Sequence, residues 1–253
     1  NFYKKLLPQT IYLVTYSSLP VCPSQLLPIF MAEDPWVHTL KKIGETKNQV
    51  GGVVLVRRED DEDATKEDYC QIGSVIQLHQ PTRADGKLQF IAEGIRRFKV
   101  VKWLSTEPPY LAEVEYPNET QVKNAEQTKA YAMAIINTLK ELVPLNPLYS
   151  EELKYFLDRF GPNDPSPLTD FAAALTTADK EELQDILETI NIHRRMQKVL
   201  VLIKKELEVA KLQVKIRHSV EKKISEHQRK FFLREQLKVI QQELGIAKDD
   251  RQA

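Results

Sequence analysis

The chain has 253 residues, 42% hydrophobic and 28% charged, which reads as a soluble globular protein able to bury a core in one or two domains. Its 36 basic and 36 acidic residues cancel, so no overall field recruits nucleic acid or an anionic membrane. Two cysteines, Cys22 and Cys70, are too few for a disulfide scaffold and point to a reducing compartment, and no apolar run approaches the roughly 18 residues of a membrane span.

No secretory leader is visible, so the sequon Asn118-Glu119-Thr120 reads as chance. A start at Asn1 and a charged end suggest a segment of a longer chain. Charge is unevenly spread. From Arg194 onward there are 16 Lys/Arg against 8 Asp/Glu, and before it 20 against 28, so the body is acidic and the last part basic.

Residues 1–118 read as β-rich. Runs at 11–16, 53–56, 74–79, 88–92, 98–104 and 111–116 are dense in β-branched and aromatic residues. Asp85-Gly86, within Arg83-Ala84-Asp85-Gly86, supplies the positive φ angles of a tight turn, which predicts an antiparallel hairpin there. One helix interrupts the strands: Asp34 is a candidate cap, Pro35 fits the first position, Trp36, Val37, Leu40 and Ile43 share a face, and Gly44 is the expected stop. The run Glu59-Asp60-Asp61-Glu62-Asp63 cannot bury its charges and is expected in a solvated loop.

From about Gln121 the period becomes helical. Tyr131, Ile135, Leu139 and Leu142 form one stripe, ended by Pro144 and Pro147. Leu153, Phe156, Leu157 and Phe160 form a second, stopped by Gly161-Pro162, and Leu168, Phe171, Ala172 and Leu175 a third. Asp179, with Glu182 three residues on, caps a fourth that carries Leu183, Ile186, Leu187 and Ile190. Such short amphipathic helices are not stable alone, so residues 119–192 are expected to form a bundle.

Residues 193–253 are expected to form a long arm. Between His193 and Leu244 there is neither proline nor glycine, and a helix of that length reaches roughly 75 Å. Its apolar blocks are out of phase, so a continuous coiled coil is not expected. The predicted class is therefore α+β: a small mixed or antiparallel β domain of pseudo-barrel type, a helical bundle and a projecting helix.

Catalytic signatures are missing from these residues. There is no G-x-x-x-x-G-K-[ST] loop and no G-x-S-x-G elbow, and the five histidines (His38, His79, His193, His218, His227) lack metal-ligand spacing. No catalytic, cofactor-binding or metal residue is assigned.

Three stretches resemble the Lon family of ATP-dependent proteases. Residues 11–30, with Leu19-Pro20, Pro23 and Leu26-Leu27-Pro28-Ile29-Phe30, resemble its opening strand, proline segment and next apolar strand. Ile72-Gly73-Ser74-Val75 with Glu93-Gly94-Ile95-Arg96-Arg97-Phe98 is similar to a motif pair of its substrate-binding domain. The run from Gln228 to Gly245 closely resembles the stretch ahead of the family's ATPase module, with Phe231 where Tyr is frequent; residues 185–192 fit the bundle segment before the long helix, with His193 where many members have Pro.

The resemblance implies the non-catalytic amino-terminal part of a hexameric machine whose ATP- and Mg-binding AAA+ module and Ser-Lys site lie outside these residues. It implies capture of unfolded or degron-bearing proteins, delivery to the ring, self-association with other subunits, and the bacterial cytoplasm or the mitochondrial matrix as compartment. Leu19, Pro20, Pro23, Leu26, Leu27 and Trp36 are the client-contact candidates, read either as an apolar surface or as core strand and loop. Gly94 is read as serving a turn, with Arg96 and Arg97 solvated or paired. Ile224, Phe231, Phe232, Leu237, Ile240 and Leu244 are the arm's partner-contact candidates, because adjacent Phe231 and Phe232 cannot share one helix face. Two further readings stay open: a nucleic-acid-binding barrel whose basic arm meets DNA phosphates weakly, and a stand-alone adaptor without an ATPase. No membrane partner is expected.

Overall fold

The computed structural model describes residues 7–58, 64, 66–119, 124–159 and 164–245. The acidic run 59–63, Thr120, Gln121, the Leu157 side chain, Phe160, Gly161 and Pro162 lie outside the described residues.

The β-branched and aromatic runs lie in strands β1 (Thr10–Tyr16), β3 (Val50–Leu55), β4 (Ile72–Ala84), β5 (Lys87–Trp103) and β6 (Tyr110–Glu115), and Leu26–Ala32, outside those runs and read as a strand only from the resemblance, forms β2. They make one sheet in the order β2-β5-β4-β3-β1-β6, and β5 also pairs with β6. That extra pairing closes five strands into a barrel and, among the described residues, leaves β2 paired to β5 alone. The sheet is mixed, since β1 runs parallel to β3 while the other pairings are antiparallel. This is the expected α+β architecture.

The Asp85-Gly86 turn is as expected: φ is 53° at Asp85 and 72° at Gly86, and Ala84 pairs with Lys87. The runs 88–92 and 98–104, by contrast, belong to one strand, β5. Register shifts in the β4–β5 ladder carry it through Glu93–Arg97 without a break. Gly94 therefore sits inside a strand, and serves no turn. A Cβ there would lie 2.0 Å from the Cys22 carbonyl oxygen, because the segment after β1 crosses β5 at this point. Two bonds hold the crossing: the Ser24 N–H donates to Gly94 O, and the Gly94 N–H to Gln25 O, both at 2.9 Å.

The barrel interior is filled by Leu13, Val54, Val75, Phe98 and Val114 among others. A second apolar layer, with Ile29, Ile76 and Phe90, lies under helix α1 (Glu33–Glu45), whose Leu40 and Ile43 are buried and whose Trp36 and Val37 are half-buried. Asp34 has extended angles (φ −95°, ψ 130°), so the regular helix opens at Pro35, but no side-chain cap bond is present. Gly44 lies within the helix instead of ending it. Thr46 makes the stop: its N–H and hydroxyl donate to Ile43 O at 3.0 and 2.6 Å, and its Oγ1 accepts from Val50 N–H at 3.0 Å.

Helices α2 (Ala125–Leu142), α3 (Pro147–Arg159), α4 (Pro165–Ala174) and α5 (Lys180–Glu188) share one core with the start of α6 (Ile192–Glu243). Ile135, Leu139, Phe156, Leu168, Phe171, Leu183, Ile186, Met196, Val199 and Ile203 fill it, with Phe156 stacked on Phe171 at 4.3 Å. Pro147 begins α3 as well as following α2. The α5 capping box is fully formed: Asp179 accepts the Glu182 N–H at 2.8 Å, and Glu182 accepts the Asp179 N–H at 3.1 Å.

The chain divides into two compact units, the first ending at Leu207 and the second starting at Glu208. In the second, the described residues from Lys211 to Gly245 are all exposed.

Candidate functional site

The segment from Leu19 to Trp36 carries the client-contact candidates, and the fold sorts them by depth. Pro20, Val21, Cys22 and Pro23 are buried, so this run is core and framework, and the two prolines offer no surface to a client. Burial also pushes the Cys22 thiol up to about 12, which leaves it a neutral packing group. Leu19 is half-buried against the helical core, Leu27 and Trp36 are half-buried against the layer under α1, and Leu26 is exposed.

Leu19, Leu26 and Leu27 come together in one groove. With Pro28 they face Tyr155 of α3 and Phe171 and Ala174 of α4 across a cavity of about 530 Å³. Glu151 and Glu152 of α3 stand on the same wall, and burial pushes the Glu152 carboxyl above the usual range. The groove is apolar at its centre with carboxylates beside it, the arrangement that suits apolar side chains of a flexible chain.

Trp36 belongs to a different place. A second cavity, of about 560 Å³, lies where Phe30 and Ala32 of β2 meet Asp34, Trp36, Tyr69 and Tyr110. Its rings support one another: Trp36 is 6.1 Å from Tyr110, Tyr69 is 5.8 Å from Tyr110, and Trp103 is 5.7 Å from both tyrosines. The Tyr69 and Tyr110 hydroxyls lie 3.3 Å apart.

The groove between β2 and helices α3 and α4 depends on how the barrel is held to the bundle, whereas the aromatic cavity is lined by the β domain alone. Arg97 of β5 is fully buried and donates to both carboxylate oxygens of Asp170 in α4, at 2.7 and 2.5 Å, to Leu187 O at 2.9 Å and to Glu119 at 3.0 Å. Arg195 of α6, also buried, donates to Ser166 Oγ at 2.6 Å, to Thr189 O at 3.2 Å and to Glu119 at 3.4 Å. Burial disfavours the Arg97 charge, but the paired Asp170 outweighs it and raises its pKa; burial lowers that of Arg195. Both guanidiniums stay charged, since each keeps carboxylate partners. Of the two readings of Arg97, the paired one holds. Asp170 went unnoticed in the sequence, although a lone carboxylate amid Leu168, Phe171 and Ala172 on a short helix was the available signal.

In the second unit, Ile224, Phe231, Phe232, Leu237, Ile240 and Leu244 are all more than half exposed, with Phe231 at 67% and Phe232 at 63%. Among the described residues no group of three or more His, Cys, Asp or Glu is placed to hold a metal, and no helix is long and apolar enough to cross a membrane.

The family model for the ATP-dependent protease La (LON) substrate-binding domain matches residues 10–205, which covers the barrel, the bundle and the start of α6. The chain belongs to the Lon substrate-binding family. It is 46% identical over 246 residues to Lon protease 2 of Hydrogenovibrio crunogenus, covering 97% of this chain and 28% of that one. It is 42% identical over 251 residues to Lon protease of Magnetococcus marinus, covering 98% and 31%. The chain thus spans less than a third of the length of these relatives, and is homologous to the amino-terminal region of Lon proteases. Among solved structures, the N-terminal domain of Mycobacterium avium complex Lon protease superposes with a TM-score of 0.57 at 18% identity, over 77% of this chain and 98% of that one. A Lon N-terminal domain protein from Xanthomonas campestris gives 0.50 at 15%, over 76% and 97%. At those identities the likeness speaks for the fold, and it includes the mixed sheet and helices described above.

Proposed function

We propose that this chain captures unfolded or degron-bearing polypeptides for a Lon-type ATP-dependent protease, with Leu19, Leu26 and Leu27 in the groove beside α3 and α4 as the gripping surface. The observation that carries this reading is the conjunction of a substrate-binding family with an apolar groove built from the residues of its Leu-Pro segment. In this reading residues 1–118 recognise clients, residues 119–192 brace them, and residues 193–253 lead towards an ATPase module. Ile224, Phe231, Phe232, Leu237, Ile240 and Leu244 meet other subunits or the ring. ATP, Mg and the Ser-Lys peptidase site belong to the remainder of the parent protein, and the bacterial cytoplasm is its compartment.

The test is binding of reduced, carboxymethylated lactalbumin to the chain and to Leu26→Ser. Leu26 is exposed, so the variant keeps the fold, and a severalfold loss of affinity is expected. Unchanged affinity moves the gripping surface elsewhere. Binding that falls steeply with salt would point to charge contacts instead of apolar capture.

A further inference from the structure

Among the described residues, strand β2 is hydrogen-bonded on one side only, and its ladder with β5 shows which backbone groups are left over. At one end the Gly94 N–H donates to Gln25 O, and at the other the Glu33 N–H donates to Gly86 O, both at 2.9 Å. Both bonds fall in the register that sets Leu27, Ile29 and Met31 opposite Ala92, Phe90 and Leu88. In an antiparallel ladder such bonded positions alternate with positions whose N–H and C=O point away from the partner. Leu26, Pro28, Phe30 and Ala32 therefore turn their backbone outward. Pro28 occupies a position where its missing N–H costs the β5 ladder nothing.

The side chains of these same four residues are exposed, Phe30 at 58%, while Ile29 on the opposite face is buried. An open edge bearing an apolar row is what folded proteins ordinarily blunt, because it templates pairing with another chain. Here it also joins the two cavities. The groove beside α3 and α4 opens at Leu26 and Pro28, the aromatic cavity at Phe30 and Ala32, and the strand between spans about 20 Å.

We propose that β2 captures clients by strand addition: an extended, unfolded segment pairs its backbone with the outward groups of Leu26, Pro28, Phe30 and Ala32 and drops side chains into the cavities at the two ends. The proposal rests on the capture reading above and gives it a mechanism. Main-chain pairing is common to every sequence, so it suits a receptor for unrelated clients, and it rejects folded ones whose backbone groups are already paired. The cavities add preference. Asp34, on the lining of the aromatic cavity, has no ion-pair partner among the described residues, so that end favours a basic residue of the client.

The probe is a fluorescein-labelled synthetic peptide of alternating Val and Thr with a terminal Lys, titrated with the chain by anisotropy, beside the same peptide N-methylated at every residue. The methylated peptide keeps its side chains but loses the donors of both edges, and it should bind about tenfold more weakly. Phe30→Pro removes one outward N–H without touching the β5 ladder, and it should weaken binding well beyond Phe30→Ala, which keeps that N–H. Equal affinity for both peptides, or equal losses in the two variants, overturns strand addition while leaving side-chain capture standing. Failure of the unmethylated peptide to bind overturns the capture reading itself. Should Phe30→Pro abolish self-association in sedimentation and leave peptide binding intact, β2 pairs copies of this chain, and the proposal falls.

Discussion

The start of α6 and its continuation past Leu207 are made of similar residues and meet different fates. In Ile192–Leu207 the apolar positions Ile192, Met196, Val199, Ile203 and Leu207 recur at helical spacing and are all buried. From Lys211 the apolar residues are sparser but still number twelve, from Leu212 to Leu244, and all of them are exposed. Propensity is comparable in the two halves, so it does not account for the contrast; a partner surface does. The first half also has polar anchors. Arg195 joins the ion network, and Glu206 accepts the Thr177 N–H at 3.0 Å, its hydroxyl at 2.8 Å and the Tyr149 hydroxyl at 3.1 Å. The second half has surface pairs such as Lys238–Glu235, worth little in water.

The largest effect is expected where the anchoring is deepest. Asp170→Ala leaves two buried guanidiniums short of a carboxylate and should cost about 3–5 kcal/mol in chemical denaturation. A loss below about 1 kcal/mol would mean that water or rearrangement replaces Asp170, and that the network is not what fixes the barrel to the bundle. Glu206→Ala comes next. It strands donors on Thr177 and Tyr149 and should cost about 1–3 kcal/mol by the same measurement. Asp179→Ala removes the reciprocal cap of α5, for about 1 kcal/mol, and Asp179→Asn should restore most of it.

The smallest effect is expected in the second unit. Phe231→Glu with Leu237→Glu should leave the melting of the chain within about 0.5 kcal/mol of the parent, since neither residue is buried. The same pair should weaken assembly of the full-length protein. Hydrogen exchange sharpens the contrast: amides between Lys211 and Glu243 should exchange much faster than those of Met196–Ile203. Strong protection that does not change with protein concentration would show that the second unit has a partner within its own chain.

Much of the fold was legible because its signals are local. The Asp85-Gly86 turn, the Asp179–Glu182 box and the proline-free run of α6 each announce themselves within a few residues. The misreadings come from long range. Gly94 looked like a turn residue because nothing near it in sequence reveals the Cys22 carbonyl pressed against it. The buried Arg97–Asp170 pair joins positions far apart, and charge alone does not distinguish a buried guanidinium from a solvated one. For the site, six candidates were named together, of which Leu19, Leu26 and Leu27 line one groove; Tyr155 and Phe171 on the facing helices were invisible, as was the separation of Trp36 into another cavity. Alternation in β2 did hold the clue to Phe30, since every second residue of that run had to face outward.

The pairing of β1 has a consequence for the order of synthesis. Thr10 pairs with Glu113, so the first strand made waits for the last strand of the barrel. At ordinary translation rates about 100 residues take roughly 5–20 s to appear, and for that time β1 lacks its β6 partner. The nascent barrel is then itself an unfolded polypeptide with exposed apolar strands. The half-made receptor resembles the clients proposed for it, and its closure before release is what separates the two.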